Sequence, residues 1–220
     1  MFCHCLHQPR SDPVTINIGI YIYERAEVLD FSGPFEVFTT ATRVAGHEAE
    51  KHGEPVFNTW LISQHGGLVT ARAGYQVMSD FSMEEHPHLD VLLVSGGDHT
   101  DEMHKRPVQK WLAGAASTAG VVASVCTGAF LLAAAGILKH QKVTTHWEDK
   151  AELQRQFPNL QVDPDPETRW VVAGNIVTSA GITAGIDMSL YLVSRLISPS
   201  LARATATQME FSSPALDLMP

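Results

Sequence analysis

Cysteine is scarce in this sequence, which has three cysteines in 220 residues. Three thiols, two of them at Cys3 and Cys5 near the start, do not form the disulfide framework of a small secreted domain. The opening segment MFCHCLHQPRSDP also lacks the apolar stretch of a secretory signal. We therefore expect a cytoplasmic protein whose thiols are reduced.

The same segment is the one place where a soft metal could bind, through Cys3, Cys5 and the neighbouring His4 and His7. A tetrahedral site of this kind usually needs a second cluster of cysteines or histidines, and the sequence has none. We interpret residues 1–13 as a flexible tail and predict no metal.

Positive charge and long apolar runs are also in short supply. The sequence has 15 Lys and Arg and 24 Asp and Glu, which gives a net charge of −9. A nucleic-acid-binding surface needs a basic face, so nucleic acid is not an expected partner. A membrane-spanning helix needs about 18 consecutive apolar residues, which the sequence lacks, so no membrane partner is expected either. The expected partner is a small-molecule substrate.

What the sequence does have is a regular alternation of β-branched runs and helical patterns. Apolar runs such as DVLLVSGG (90–97) and GVVASVC (120–126) are typical of strands buried in a parallel sheet, and helical patterns follow both. The alternation predicts a single α/β domain over residues 14–212, with a mostly parallel central sheet, helices on both faces and a short tail at 213–220.

Candidate functional residues lie where predicted strands end, because open α/β sheets bind ligands beyond the carboxyl ends of their strands. They are Asp30, the segment Gly96-Gly97-Asp98, the segment Cys126-Thr127-Gly128, the pair His146-Trp147 and the pair Ala180-Gly181.

Cys126 is the central candidate, because SVCTG joins a strand to the start of a helix. A thiol at a helix N-terminus faces unpaired N–H groups, which lower its pKa and favour a reactive thiolate. The spacing is also typical of a buried core cysteine. Both interpretations stay open on the pattern alone.

The other candidates have two interpretations each. Gly96 and Gly97 could offer backbone N–H groups to an oxyanion, or form a plain tight turn. Asp30 could be a functional carboxylate, or the N-cap of a helix entered at Pro34. His146 could be a base for a Cys–His pair, or a structural histidine at a strand end. The remaining histidines of the polar segments, His86, His88, His99 and His104, are interpreted as solvated.

Five stretches together resemble the ThiJ/PfpI superfamily, which is related to class I glutamine amidotransferases. They are VLDFSGPFEVF, LLVSGG, SVCTGAFLLAAAGIL, KVTTHW and TSAGITAGIDMSLYLV. Within the superfamily, the sequence is similar to isonitrile hydratases and to the sensor domains of AraC-type transcription regulators. The resemblance implies a flavodoxin-like three-layer sandwich that forms a homodimer.

The resemblance also implies site residues. The nucleophile would be Cys126, its acidic partner Asp30, and the residue after the nucleophile Thr127. Proteases of the superfamily carry histidine at that last position, so Thr127 favours the hydratase branch. The DNA-binding helices of a regulator would follow this domain, and the given sequence stops at Pro220, so we expect an enzyme that stands alone unless the chain is a fragment.

We therefore expect a hydro-lyase without a cofactor, in which Cys126 attacks an isonitrile and Asp30 acts as acid and then as base. Backbone N–H groups of Gly97 and Thr127 would stabilise negative charge, and Trp147 and Ile182 would form the apolar wall of the pocket. Two alternatives remain: a different cysteine enzyme of the superfamily that acts on glyoxals or amides, and a sensor without catalysis.

Overall fold

The computed structural model describes residues 15–48 and 55–214. The predicted tail at 1–13, with Cys3 and Cys5, and most of the tail at 213–220 lie outside these residues. The strands are β1 (Ile16–Tyr21), β2 (Phe57–Ser63), β3 (Gly67–Thr70), β4 (Gln76–Ser79), β5 (Phe81–Ser82), β6 (Val91–Val94), β7 (Val121–Ser124), β8 (Lys142–Val143), β9 (Gln161–Val162), β10 (Trp170–Ala173) and β11 (Ile176–Ser179). The helices are α1 (Val28–Glu48), α2 (Arg106–Thr118), α3 (Gly128–Ala134), α4 (Lys150–Gln156), α5 (Ala184–Leu196) and α6 (Pro199–Gln208).

Seven strands form the central sheet, in the order β10-β11-β7-β6-β1-β2-β5. Every neighbouring pair is parallel except the β10–β11 hairpin. The register aligns Tyr21, Val94, Ser124 and Thr178 in one row across four strands. The segments that follow these residues therefore leave the sheet at the same edge, which brings the predicted site residues together.

Helices cover both faces of the sheet. From β1 the chain moves to β2 on one side, whereas from β6 it moves to β7 on the other side. Because crossovers between parallel strands are right-handed, these opposite steps place α1 and α2 on opposite faces. Helices α5 and α6 pack on α1, and α3 packs on α2. The predicted three-layer fold is confirmed, and the reversal of direction between β1 and β6 is the kind of switch point where such sheets bind ligands.

Two predicted elements differ in the structure. Helix α1 begins at Val28, so Asp30 lies in its first turn and Pro34 lies inside the helix. Burial of Phe31 and Val37 in the core outweighs the one backbone hydrogen bond that proline removes. Among the helices of the described segments, none is long and apolar enough to cross a membrane.

The second difference concerns the strand that the sequence predicts just before the pair His146-Trp147, within KVTTHW. Only Lys142–Val143 forms a strand, and it pairs with β9 outside the central sheet. The next two residues are buried and bond elsewhere: the Thr144 N–H donates to Thr178 Oγ1 at 2.9 Å, and Thr145 Oγ1 donates to the Cys126 carbonyl at 2.8 Å. These bonds turn the chain toward Cys126 before it reaches His146.

Candidate active site

Cys126 lies on a sharp turn between β7 and α3 and has a backbone φ of +57°. Few residues other than glycine adopt this left-handed conformation, and strain of this kind is common at active sites. The turn is held in place because the Cys126 N–H donates to the Ala180 carbonyl at 3.2 Å. The thiol is 7% exposed and lines a cavity. The geometry is that of a nucleophile elbow.

The turn depends on Gly128, the first residue of α3. A Cβ atom at this position would lie 2.3 Å from the Val94 carbonyl oxygen, so the helix can approach β6 this closely only with glycine. We expect Gly128→Ala to lower the free energy of unfolding by about 3 kcal/mol, because the added methyl meets backbone that cannot move aside. Urea denaturation measures the effect.

The matched control for this substitution is Gly114→Ala in α2. A Cβ atom at Gly114 meets nothing within 4 Å. Since alanine favours helix over glycine by about 1 kcal/mol, this variant should be as stable as the wild type or more stable. Equal stabilities of the two variants would contradict the proposed role of Gly128.

Asp30 reaches the elbow from the first turn of α1. Its side chain is fully buried, and its Oδ2 accepts a hydrogen bond from the Gly96 N–H at 3.2 Å. A Cβ atom on Gly96 would lie 2.6 Å from that oxygen and 2.7 Å from the Cys126 Cβ. Glycine at this position therefore lets the carboxyl group and the cysteine meet, and the two side chains share a hydrogen bond.

The electrostatics of the pair follow from burial. Burial raises the pKa of Asp30 to about 7, although hydrogen bonds from Cys126, Gly96 and the Ile182 backbone lower it in part. Burial, followed by the negative charge of Asp30, raises the pKa of the Cys126 thiol, and the Thr127 N–H lowers it only partly. The expected depressed cysteine pKa is therefore wrong, since desolvation outweighs the helix N-terminus. The resting site holds a thiol beside a carboxyl group that titrates near neutral pH.

Thr127 and Gly97 are joined by two hydrogen bonds. The Gly97 N–H donates to Thr127 Oγ1, and Thr127 Oγ1 donates to the Gly97 carbonyl, each at 2.9 Å. The N–H groups of Gly96 and Gly97, which the sequence offered to an oxyanion, thus already have partners. Instead of facing a ligand, the Gly96 N–H bonds to Asp30 and the Gly97 N–H bonds to Thr127, and these bonds hold the two side chains in place. The Thr127 N–H faces the Cys126 sulfur.

The cavity above Cys126 has a volume of about 270 Å³. Its lining residues are Glu27, Arg72, Gly97, Asp98, His99, Thr100, Cys126, Thr127, His146, Glu148, Asp149 and Ile182. Ile182 has a φ of +55° and a half-exposed side chain at the rim. Trp147 is 65% exposed and lies outside this cavity, in a neighbouring hollow that shares His146 and Ile182 with it. Of the two predicted wall residues, only Ile182 faces the cysteine.

The polar segment around His99 predicts a solvated side chain, but the structure places His99 at the site. Its ring lies 4.3 Å from that of Phe130, it lines the cavity, and burial lowers its pKa. Its position two residues after the Gly96-Gly97 turn was a usable signal. His146 also lines the cavity, where its Nδ1 lies 3.5 Å from Asp149 Oδ2. Within residues 15–48 and 55–214, no cluster of three His, Cys, Asp or Glu side chains could hold a metal ion.

Comparison with known proteins places this geometry in context. The chain is 32% identical to the isonitrile hydratase of Pseudomonas putida over 90% of this chain and 80% of that protein. It is 28% identical to the HTH-type transcriptional regulator GbdR of Pseudomonas aeruginosa over 81% of this chain, but spans about half (46%) of the regulator.

The fold is shared with solved structures. A ThiJ/PfpI family protein from Pseudomonas syringae superimposes with a TM-score of 0.77 and 26% identity, over 96% of this chain and 85% of that one. A model of the DJ-1/PfpI family matches residues 17–195, which includes Asp30, Gly96 and Cys126. The chain therefore belongs to the DJ-1/PfpI family.

Proposed function

We propose that this protein is an isonitrile hydratase, which converts R–N≡C and water into the formamide R–NH–CHO through a thioimidate on Cys126. One observation carries the proposal: the buried carboxyl group of Asp30 meets the cysteine of a nucleophile elbow across Gly96. Burial raises the pKa of this carboxyl group to about 7. Such a carboxyl group can accept a proton and return it at neutral pH. The identity to a known isonitrile hydratase over most of the chain supports the same function.

The first half of the reaction joins the substrate to the cysteine. Because the resting thiol is protonated, the Asp30 carboxylate takes its proton as the sulfur attacks the terminal carbon of the isonitrile. Protonated Asp30 then gives that proton to the same carbon. The product is the thioimidate R–N=CH–S–Cys126, and Asp30 is again a carboxylate.

The second half releases the formamide. Asp30 accepts a proton from water as the water oxygen attacks the thioimidate carbon, and it then passes that proton to the nitrogen, which gives the tetrahedral intermediate R–NH–CH(OH)–S–Cys126. Collapse of the tetrahedral intermediate breaks its C–S bond, and the hydroxyl proton of the intermediate passes through Asp30 to the Cys126 sulfur. Each step uses only this chain's own residues and water.

The cavity fits a substrate of this kind. An isonitrile is linear at its reacting end and needs little room beside the sulfur. The cavity of about 270 Å³ is at the small end for ligand pockets, and its rim at Ile182 offers an apolar contact for the R group.

The decisive assay is incubation of the protein with a simple alkyl isonitrile, with the formamide followed by NMR. We expect formamide to form faster with the wild-type protein than in buffer alone. Turnover of methylglyoxal without any formamide would instead identify a glyoxalase-like enzyme, and the proposal would fail.

A ligand sensor is the second candidate function, favoured by the match to GbdR over most of this chain. A sensor would bind an isonitrile or another small molecule without turnover.

We also propose that the protein is a homodimer in solution. Sedimentation velocity checks this: a single species of about 24 kDa, the mass of one chain, would contradict it.

A further inference from the structure

The hydroxyl of Tyr23 is a buried polar group that the reaction above does not use. The side chain is 3% exposed, and its hydroxyl oxygen has no well-formed hydrogen bond to any part of the chain that the structure describes. A buried hydroxyl without an acceptor costs free energy, and such groups in native proteins usually have a functional reason.

Tyr23 lies behind the reacting pair. The groups that act on its hydroxyl are the charges of Asp30, Cys126 and Glu102 and the side chain of Thr127. Glu102 already accepts one hydrogen bond on each oxygen, because Tyr21 donates to its Oε1 at 2.6 Å and Lys105 donates to its Oε2 at 2.8 Å. The charges of Asp30 and Cys126 act on the Tyr23 hydroxyl more strongly than the charge of Glu102 does, which places the hydroxyl within reach of the reacting pair.

The reacting pair has few donors left. The Gly97 N–H donates to Thr127 and the Cys126 N–H donates to Ala180, so neither serves the pair. The donors that do serve it at rest are the N–H groups of Gly96 and Ile182 for Asp30 and that of Thr127 for the Cys126 sulfur. Asp30 Oδ1 is buried and has no well-aligned donor within residues 15–48 and 55–214. When the thiol loses its proton, one negative charge is shared by two buried side chains, and it needs a further donor.

We propose that the Tyr23 hydroxyl is this donor, and that it forms a hydrogen bond to the negative charge shared by Cys126 and Asp30 when the pair ionises. Burial raises the pKa of the phenol, so it stays a neutral donor throughout the reaction. The inference deepens the proposed function, but its main test needs no isonitrile, so the two can fail separately.

The test is the rate of alkylation of Cys126 by iodoacetamide from pH 6 to pH 10, followed by mass spectrometry of the peptide that holds it. Tyr23→Phe removes only the hydroxyl. Since a hydrogen bond to a charged group shifts a pKa by about one unit or more, we expect the profile to move by about one pH unit toward higher pH. At a fixed pH below the thiol pKa, alkylation should be about tenfold slower.

Tyr21→Phe is the matched control. It removes the hydroxyl of a second buried tyrosine, whose ring centroid lies 6.1 Å from that of Tyr23. Its hydroxyl serves Glu102, so this variant should lose stability and keep the alkylation profile of the wild type. Tyr23→Phe removes no well-formed hydrogen bond of the resting structure, and it should unfold at or above the wild-type temperature.

The other titratable groups around the pair stay unchanged in both variants: Glu27, Arg72, Asp98, His99, His146, Glu148 and Asp149. The inference is overturned if Tyr23→Phe leaves the profile in place, or if Tyr21→Phe moves it as far. Where formamide is formed, Tyr23→Phe should lower kcat/KM about tenfold with KM nearly unchanged; an effect on KM alone would also overturn it.

Discussion

Replacing Cys126 by serine is expected to lower the rate of formamide formation by at least about 10⁴-fold, with the fold intact. The oxygen of serine is a much weaker nucleophile than sulfur, and Asp30, with a pKa of about 7, is too weak a base to ionise a hydroxyl. The side chains are nearly the same size, so the elbow keeps its shape. NMR of the formamide over several hours measures the residual rate.

The control for this variant is Ser124→Ala, at the end of β7. Ser124 is fully buried, and its hydroxyl has no hydrogen-bond partner in the described part of the chain. Removing it should change neither activity nor stability by much. Formamide formation by Cys126→Ser at more than a hundredth of the wild-type rate would exclude a thioimidate on this residue.

The placement of Cys126 could be predicted from the sequence, because in a parallel sheet the turn from a strand to the next helix must lie at the carboxyl edge. A buried apolar run followed by a helical pattern fixes a strand-to-helix turn, and neighbouring turns of this kind meet at one edge of the sheet. Asp30, Gly96 and Cys126 meet there as predicted. Asp30 arrives from inside a helix and not from a loop, since packing of α1 moved the helix start to Val28.

The roles of the backbone N–H groups could not be predicted in this way. Whether Gly97 offers its N–H to a ligand or to Thr127 depends on a hydrogen bond of 2.9 Å between side chain and backbone, which no spacing encodes. The same limit applies to Trp147, which follows two threonines that bond to Thr178 and Cys126 and turn the chain aside. Sequence patterns locate strand ends, but they do not show which polar groups are already paired.

The position of Cys126 at a helix N-terminus predicts a lowered pKa for its thiol, whereas burial in the fold raises that pKa. Helix α3 has seven residues, and its N-terminus acts on Cys126 through one N–H group, that of Thr127. Against it stand the desolvation of a thiol that is 7% exposed and the charge of Asp30. Burial is a property of the assembled fold. The sequence therefore indicates the helix N-terminus, which lowers the thiol pKa, but not the desolvation, which raises that pKa by more.

Replacing Asp30 by asparagine should separate stability from activity. An asparagine oxygen can still accept the Gly96 N–H, but it cannot move a proton, so formamide formation should fall by about 10³-fold. The carboxyl pKa is near 3.8 in the unfolded chain and about 7 in the fold, so the folded protein holds the extra proton between these values. Wild-type stability must therefore fall as pH rises from about 4 to 7, by up to about 4 kcal/mol.

Asp30→Asn has no carboxyl group to ionise, so it should lack this loss of stability. We expect the variant to unfold at a higher temperature than the wild type at pH 8, and at a similar temperature at pH 5, where Asp30 in the wild type is protonated. Calorimetry at the two pH values measures the difference. A variant less stable than the wild type at pH 8 would mean that the Asp30 charge stabilises the fold. In that case burial would not be what holds its pKa near 7, and the acid–base role assigned to Asp30 would lose its physical basis.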